Sequence, residues 1–136
     1  MNKKDLKKIP ILKNIVAKNT TSIGATAELA ARRFLEKNGL TFRAANYRCR
    51  LGEIDLIMQE PHVLVFVEVR MRNSAQYGTG AETVTLSKQT KIIHTAQHFL
   101  SSNPQLSSLD CRLDVVSIGA SEQKIDWYKN AFTLDR

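Results

Sequence analysis

Residues 52–72 read GEIDLIMQEPHVLVFVEVRMR. Two apolar runs, Ile54–Met58 and Val63–Val67, flank Glu60-Pro61-His62, the pattern of two antiparallel strands joined by a tight connection. The second run does not alternate with polar residues, so it predicts a central strand covered on both faces. Charge nevertheless sits inside this hairpin, with Glu53 and Asp55 on the first strand and Glu68 and Arg70 on the second. A carboxylate among buried aliphatics is costly unless it is paired, hydrogen-bonded or bound to a metal. Residues two apart on a strand share a face, which groups Glu53 with Asp55 and Glu68 with Arg70. A pairing sum of 123 puts Asp55 opposite Glu68, whereas a symmetric three-residue turn gives 122 and separates them unless a bulge shifts the register.

Working outward from the hairpin, Thr21 and Ser22 are placed to cap a helix from about Gly24 to Asn38, closed by Gly39. Ala27, Ala30, Ala31, Phe34 and Leu35 give it an apolar face. Glu28 borders that face, either leaning toward the sheet or pairing with Arg32 one turn on. Leu40–Tyr47 reads as a strand toward a sheet edge, and Arg48 and Arg50 then lead into the Leu51-Gly52 turn. Asn73–Ala81, NSAQYGTGA, is a loop by composition, and its Tyr77 is suited to a substrate-contacting flap or to a plain connection. Thr85 or Ser87 caps a second helix to Ser101, with Leu86, Ile93, Ala96 and Leu100 toward the core. Lys88, Lys91, Thr95 and His98 fall on another face, a basic stripe that fits a nucleic-acid backbone or simply solvent. Asn103–Asp110 is a linker, and Arg112–Ile118 and Lys124–Lys129 are further strands, the latter ending in Ala131-Phe132. Asp114 calls for a structural hydrogen bond or a basic partner. The order of helix, strands, helix, strands predicts an α/β or α+β sheet flanked by helices.

The chain has 136 residues and a formal charge of +7, which favours a polyanionic partner. Most of that charge lies in residues 1–18, where six lysines stand against Asp5. This suggests a basic leader over 1–20, a solvated tail or a phosphate-contacting arm, before one domain over 21–136. Anionic membrane surfaces suit a basic chain too, but no apolar run approaches the roughly 20 residues that span a bilayer. The leader is broken by Lys, Asn and Pro and lacks the continuous core of a secretory signal, so a cytoplasmic address is expected. Cys49 and Cys111 form no CxxC pair, and with three scattered His they are too few, at these spacings, for a zinc site.

Carboxylates converging at the end of a sheet suit Mg²⁺ or Mn²⁺, which prefer oxygen ligands. Asp55 followed by Glu68-Val69-Arg70 looks like the Asp…Glu-x-Lys pattern of the PD-(D/E)xK nuclease superfamily. A longer match is more specific: Asn46-Tyr47-Arg48-Cys49-Arg50, Gly52-Glu53-Ile54-Asp55-Leu56-Ile57, Val65-Phe66-Val67-Glu68-Val69-Arg70 and Arg112-Leu113-Asp114-Val115-Val116. In order and spacing these resemble the YraN-type family of uncharacterised bacterial proteins, over roughly Gly24 to Phe132. The resemblance implies a restriction-endonuclease-like fold, a mixed central sheet flanked by helices, similar to Holliday junction resolvases. It implies Asp55 and Glu68 as metal ligands, Glu28 as a helix-borne third acid and residue 70 as the motif's cation. Arginine at position 70 departs from the general pattern, because it stays protonated and stabilises charge without accepting a proton. Arg72 is placed to share that electrostatic work.

Two functions fit. One is a metal-dependent endonuclease acting on DNA, branched or structured DNA by the resemblance to resolvases, with Glu28, Asp55, Glu68 and Arg70 at the chemistry. Arg48, Arg50, Arg72, Tyr77, Lys88 and Lys91 would then contact the nucleic acid. The other is a non-cleaving nucleic-acid-binding module in which Glu68 and Arg70 form a structural ion pair. A plain protein-interaction domain leaves the core carboxylates unexplained. Paired cuts need paired sites, so resemblance to resolvases also implies a homodimer.

Overall fold

A computed structural model describes residues 19–72, 84–119 and 124–133, with backbone alone for 19–23. Helix α1 (Asn19–Lys37) precedes a meander of β1 (Thr41–Cys49), β2 (Gly52–Glu60) and β3 (Val63–Met71). Helix α2 (Leu86–Ser102) and a short 3₁₀ turn (Pro104–Leu106) lead to β4 (Asp110–Ile118) and β5 (Ile125–Phe132). The five strands form one mixed sheet in sequence order, antiparallel except for the parallel β3–β4 pair. This is the α/β sheet with flanking helices that the pattern predicts. Val63–Val67 occupies the middle strand, as its unbroken apolar run requires.

The helices cover opposite faces. On one, Ala27, Ala31 and Leu35 of α1 pack on Leu56, Met58, Val65, Val67, Val116 and Ile118. On the other, Ile92, Ile93, Ala96 and Phe99 of α2 pack on Ile54, Ile57, Leu64, Phe66, Leu113 and Val115. Gly39, at φ +93, closes α1 as expected, with Leu40 N–H donating to Leu35 O at 3.1 Å.

Three expectations need correction. Thr21 and Ser22 lie inside α1, which begins at Asn19. Leu86, the first residue of α2, is 66% exposed, because the helix starts before it reaches the sheet. Thr95 is fully buried and not part of a basic stripe, since its hydroxyl donates back to Lys91 O at 2.7 Å and leaves no polar group that needs water.

The connection between β2 and β3 is Pro61-His62, with Glu60 paired to Val63 and Leu56 to Val67. The pairing sum is therefore 123 from Leu56 to Glu60, and just past the end of that ladder the Asp55 carboxyl lies beside Glu68. A second irregularity acts on the same place. Ile54 packs on the α2 side, yet Leu56 two residues later packs on the α1 side, so side-chain alternation breaks at Asp55. On β1, Ala44 and Tyr47 both pack on the α2 side although they are three apart. Between them Asn46 takes φ +55, and the flanking pairs Ala45↔Leu56 and Tyr47↔Ile54 set it opposite Asp55. Matched kinks in neighbouring strands thus keep pairing while they re-aim side chains at one end of the sheet.

Gly52 lets the start of β2 approach α2 closely. A Cβ there would sit 2.9 Å from Thr95 Oγ1 and 3.4 Å from Lys91 O. Gly52→Ala is expected to destabilise the fold by about 1–3 kcal/mol in chemical denaturation. Thr95→Ala, which removes the obstructing oxygen, should recover part of that loss in the double variant.

Candidate active site

A cavity of about 310 Å³ opens where the kinked start of β2 and Glu68 of β3 meet the N-terminal part of α2. Glu53, Asp55 and Glu68 line it from the sheet, and Ser87, Lys88 and Lys91 from the helix. The hairpin register delivers the first group. The second is fixed by Thr85, whose Oγ1 accepts from Lys88 N–H at 3.2 Å and caps α2.

Asp55 is held by Val69 N–H, which donates to its Oδ2 at 2.8 Å. Burial, and then the neighbouring Glu68 charge, push its carboxyl up to about 8, against which the Val69 hydrogen bond works. Glu68 is 5% exposed, and its Oε1 lies 2.6 Å from Lys88 Nζ. The Glu68–Arg70 ion pair is thus not formed, because α2 places a lysine directly over Glu68. Arg70 is half-buried and has no ion-pair partner among the described residues.

Glu28 joins this centre from α1. Burial raises its pKa, an Asn46 hydrogen bond lowers it, and the charges of Glu53 and Glu68 raise it further. The Asn46 amide nitrogen, oriented to donate, lies 2.9 and 3.1 Å from the two Glu28 oxygens and 3.0 Å from Glu53 Oε1. Arg32 pairs instead with Glu36 at 3.5 Å and lies over the Phe42 ring. Glu53, which also pairs with Arg48 at 3.3 Å, leans toward Asn46 while Asp55 turns to Glu68. The expected common face of Glu53 and Asp55 is therefore lost at the kink, though both border the cavity.

The other candidates are more dispersed. Lys88 and Lys91 reach the cavity, and Arg50 lies in the turn before β2. Arg72 is engaged by Asp126 at 2.8 Å. His98 is hydrogen-bonded to the Tyr47 hydroxyl. Tyr77, its loop and residues 1–18 of the leader fall outside the described residues, while residues 19 and 20 already belong to α1. Asp114 is structural, as its position suggested. It accepts from Arg112 Nε, Trp127 Nε1 and Asn130 N–H at 2.8–2.9 Å, and Arg112 also reaches Glu60.

The sequence reading did not single out Asn46 and Glu53 as site residues, nor Lys88 as the partner of Glu68. An Asn in the midst of a strand-like run was the available signal for a left-handed kink. No group of three His, Cys, Asp or Glu among the described residues is arranged to hold a metal ion. No described helix is long and apolar enough to cross a membrane.

Residues 27–118 match the family described as "Uncharacterised protein family UPF0102". The chain belongs to this family. It is 54% identical to a UPF0102 protein of Saccharophagus degradans over 112 residues, covering 82% of this chain and 93% of the relative. A UPF0102 protein of Nitrosomonas europaea is 47% identical over 110 residues, with 80% and 92% covered. UPF0102 protein YraN of Salmonella arizonae is 50% identical over 110 residues, with 80% and 82% covered. The UPF0102 match spans α1 to β4 and therefore contains Glu28, Asn46, Glu53, Asp55, Glu68 and Lys88.

The raised Asp55 carboxyl has a stability consequence. Between the unfolded value of 3.8 and the folded value of about 8, the folded chain binds a proton that the unfolded chain has released. Stability therefore falls as pH rises through that window and levels off above it. Asp55→Asn, which keeps an acceptor for Val69 N–H, removes this term. The variant should exceed wild type by on the order of 2 kcal/mol or more in denaturant melts at pH 9, with the gap closing toward pH 4.

Proposed function

We propose that this chain is a metal-dependent endonuclease that hydrolyses phosphodiester bonds in DNA, with branched or structured DNA as its substrate class. The observation that carries the reading is that Asp55 and Glu68 lie beside each other and line one cavity bordered by Lys88 and Lys91. Two adjacent carboxyl groups in a poorly hydrated pocket repel each other, as the raised Asp55 reflects, and a divalent cation is the partner that relieves both. Magnesium is commonly held by one or two carboxylates, with waters and substrate phosphates completing its shell, so a third acid at the same point is not required. Asp55 and Glu68 would hold the ion. Once bound, it supplies Lewis-acid polarisation of a phosphoryl oxygen and neutralises developing charge.

The chain's own groups do the remaining work. Val69 N–H fixes the Asp55 carboxylate, and Asn46 holds Glu28 and Glu53 back from the pair. Lys91 at the cavity and Arg70, two residues from Glu68 along β3, are cations without described ion-pair partners and offer positive charge to a phosphate. A fixed guanidinium at position 70 suits charge stabilisation and not proton abstraction.

One observation favours a second reading, a binding module that does not cut. The Lys88–Glu68 pair already satisfies the most buried acid of the cavity without any metal.

Cleavage of labelled branched, duplex and single-stranded DNA in Mg²⁺ or Mn²⁺ separates the two. Cutting should depend on the divalent ion and fall by roughly a hundredfold or more in Asp55→Asn and in Glu68→Gln, since each loses a ligand worth several kcal/mol. Wild-type protein that binds DNA in chelator, with steep salt dependence and no cutting, would establish the module instead.

A further inference from the structure

Lys88 is held at two levels. Its backbone is pinned in the first turn of α2, where its N–H meets Thr85 Oγ1 and Gln89 Nε2 donates to Val84 O at 3.0 Å. Its side chain, 47% exposed, reaches from that fixed point across the cavity mouth to the buried Glu68 at 2.6 Å. The side chain is thus half exposed to solvent, while its backbone is fixed.

Charge at the site is unbalanced. Glu68 and Glu28 act on the Asp55 carboxyl, Glu53 and Glu68 act on Glu28, and the only cation paired with Glu68 among the described residues is Lys88. Asp55 has no ion-pair partner of its own among the described residues. A divalent ion between the two carboxylates serves both, but it meets Glu68 where the ammonium group now sits, and two cations at one carboxylate oxygen repel strongly in a low-dielectric pocket. Lys91 lies three residues along α2 and lines the same cavity. An ammonium released from Glu68 stays within reach of whatever anion Lys91 attracts.

We propose that Lys88 is a built-in counter-ion for Glu68, displaced when a divalent cation binds Asp55 and Glu68 and passed to a phosphate of the bound nucleic acid beside Lys91. This rests on the metal-dependent reading above. It adds an exchange: the same lysine holds the Glu68 side chain in place before the metal arrives and contributes to the polyanion afterwards.

Mn²⁺ titration calorimetry without DNA, on wild type, Lys88→Met and Lys88→Arg, tests the exchange. Lys88→Met should bind Mn²⁺ roughly tenfold tighter than wild type, because the competing charge is gone. Lys88→Arg keeps a cation over Glu68 and should show no such gain. In Ca²⁺, Lys88→Met should also bind a short duplex several-fold more weakly, with a salt slope smaller by about one. Should Lys88→Met unfold, ¹⁵N-lysine NMR of wild type reads the exchange directly, as a shift of the Lys88 Nζ signal on Mg²⁺ saturation. Equal Mn²⁺ affinity in wild type and Lys88→Met, or an unmoved Lys88 signal at saturation, overturns the exchange and leaves the nuclease reading standing. Absence of Mn²⁺ binding in all three proteins overturns both.

Discussion

The closeness of Asp55 and Glu68 at the end of the central hairpin is the constraint to which the rest of the structure answers. Pro61-His62 makes the connection two residues long and so sets the hairpin register, and the break in alternation at Asp55 then aims the acids. Once they are neighbours, their charge has to be managed locally. Val69 N–H holds Asp55, Asn46 holds Glu28 and Glu53, and Lys88 holds Glu68, each from a different element. The kink at Asn46 and Asp55 belongs to the same solution, because it turns Glu53 toward Asn46 and leaves Asp55 directed at Glu68.

The sheet also shows what a buried acid looks like when it is only structural. Asp114, 1% exposed, receives four hydrogen bonds from Arg112, Trp127 and Asn130, and this ties β4 to β5 while Arg112 reaches Glu60 on β2. Every lone pair that matters has a donor. Asp55, by contrast, has one backbone donor and a negative neighbour. The two aspartates thus differ in how completely the protein compensates them, and the undercompensated one lines the cavity. Perturbed ionisation in a cleft is a recurrent mark of functional sites.

Much of this was legible in the residues. The unbroken run Val63–Val67 located the middle strand, Gly39 ended the first helix, and acids at positions 55 and 68 marked the centre because apolar flanks made them anomalous. The register was narrowed to two alternatives, and the choice turned on whether Glu60 belonged to the turn or to the strand, which composition does not reveal. Thr95 was misplaced because a threonine that bonds its own helix backbone behaves as an apolar residue. Leu86 was misplaced because helical periodicity says which side a residue faces but not where the helix first touches its neighbour. Lys88 could be assigned to a basic face of α2, but its pairing with Glu68 depends on how the helix crosses the sheet, a non-local fact.

The parallel pairing of β3 with β4 forces the chain to cross one face of the sheet before it can return, and α2 lies on that crossing. All four acids of the centre are supplied by residues 28–68, Glu28 from α1 and the other three from the antiparallel β2–β3 hairpin, whereas Lys88 arrives only with the crossover. A chain emerging from the ribosome therefore exposes mutually repelling carboxylates before it has made their neutralising partner. Docking of α2 supplies apolar packing and charge relief in one event, so completion of the cavity and closure of the core on that face are tied to the same cooperative step.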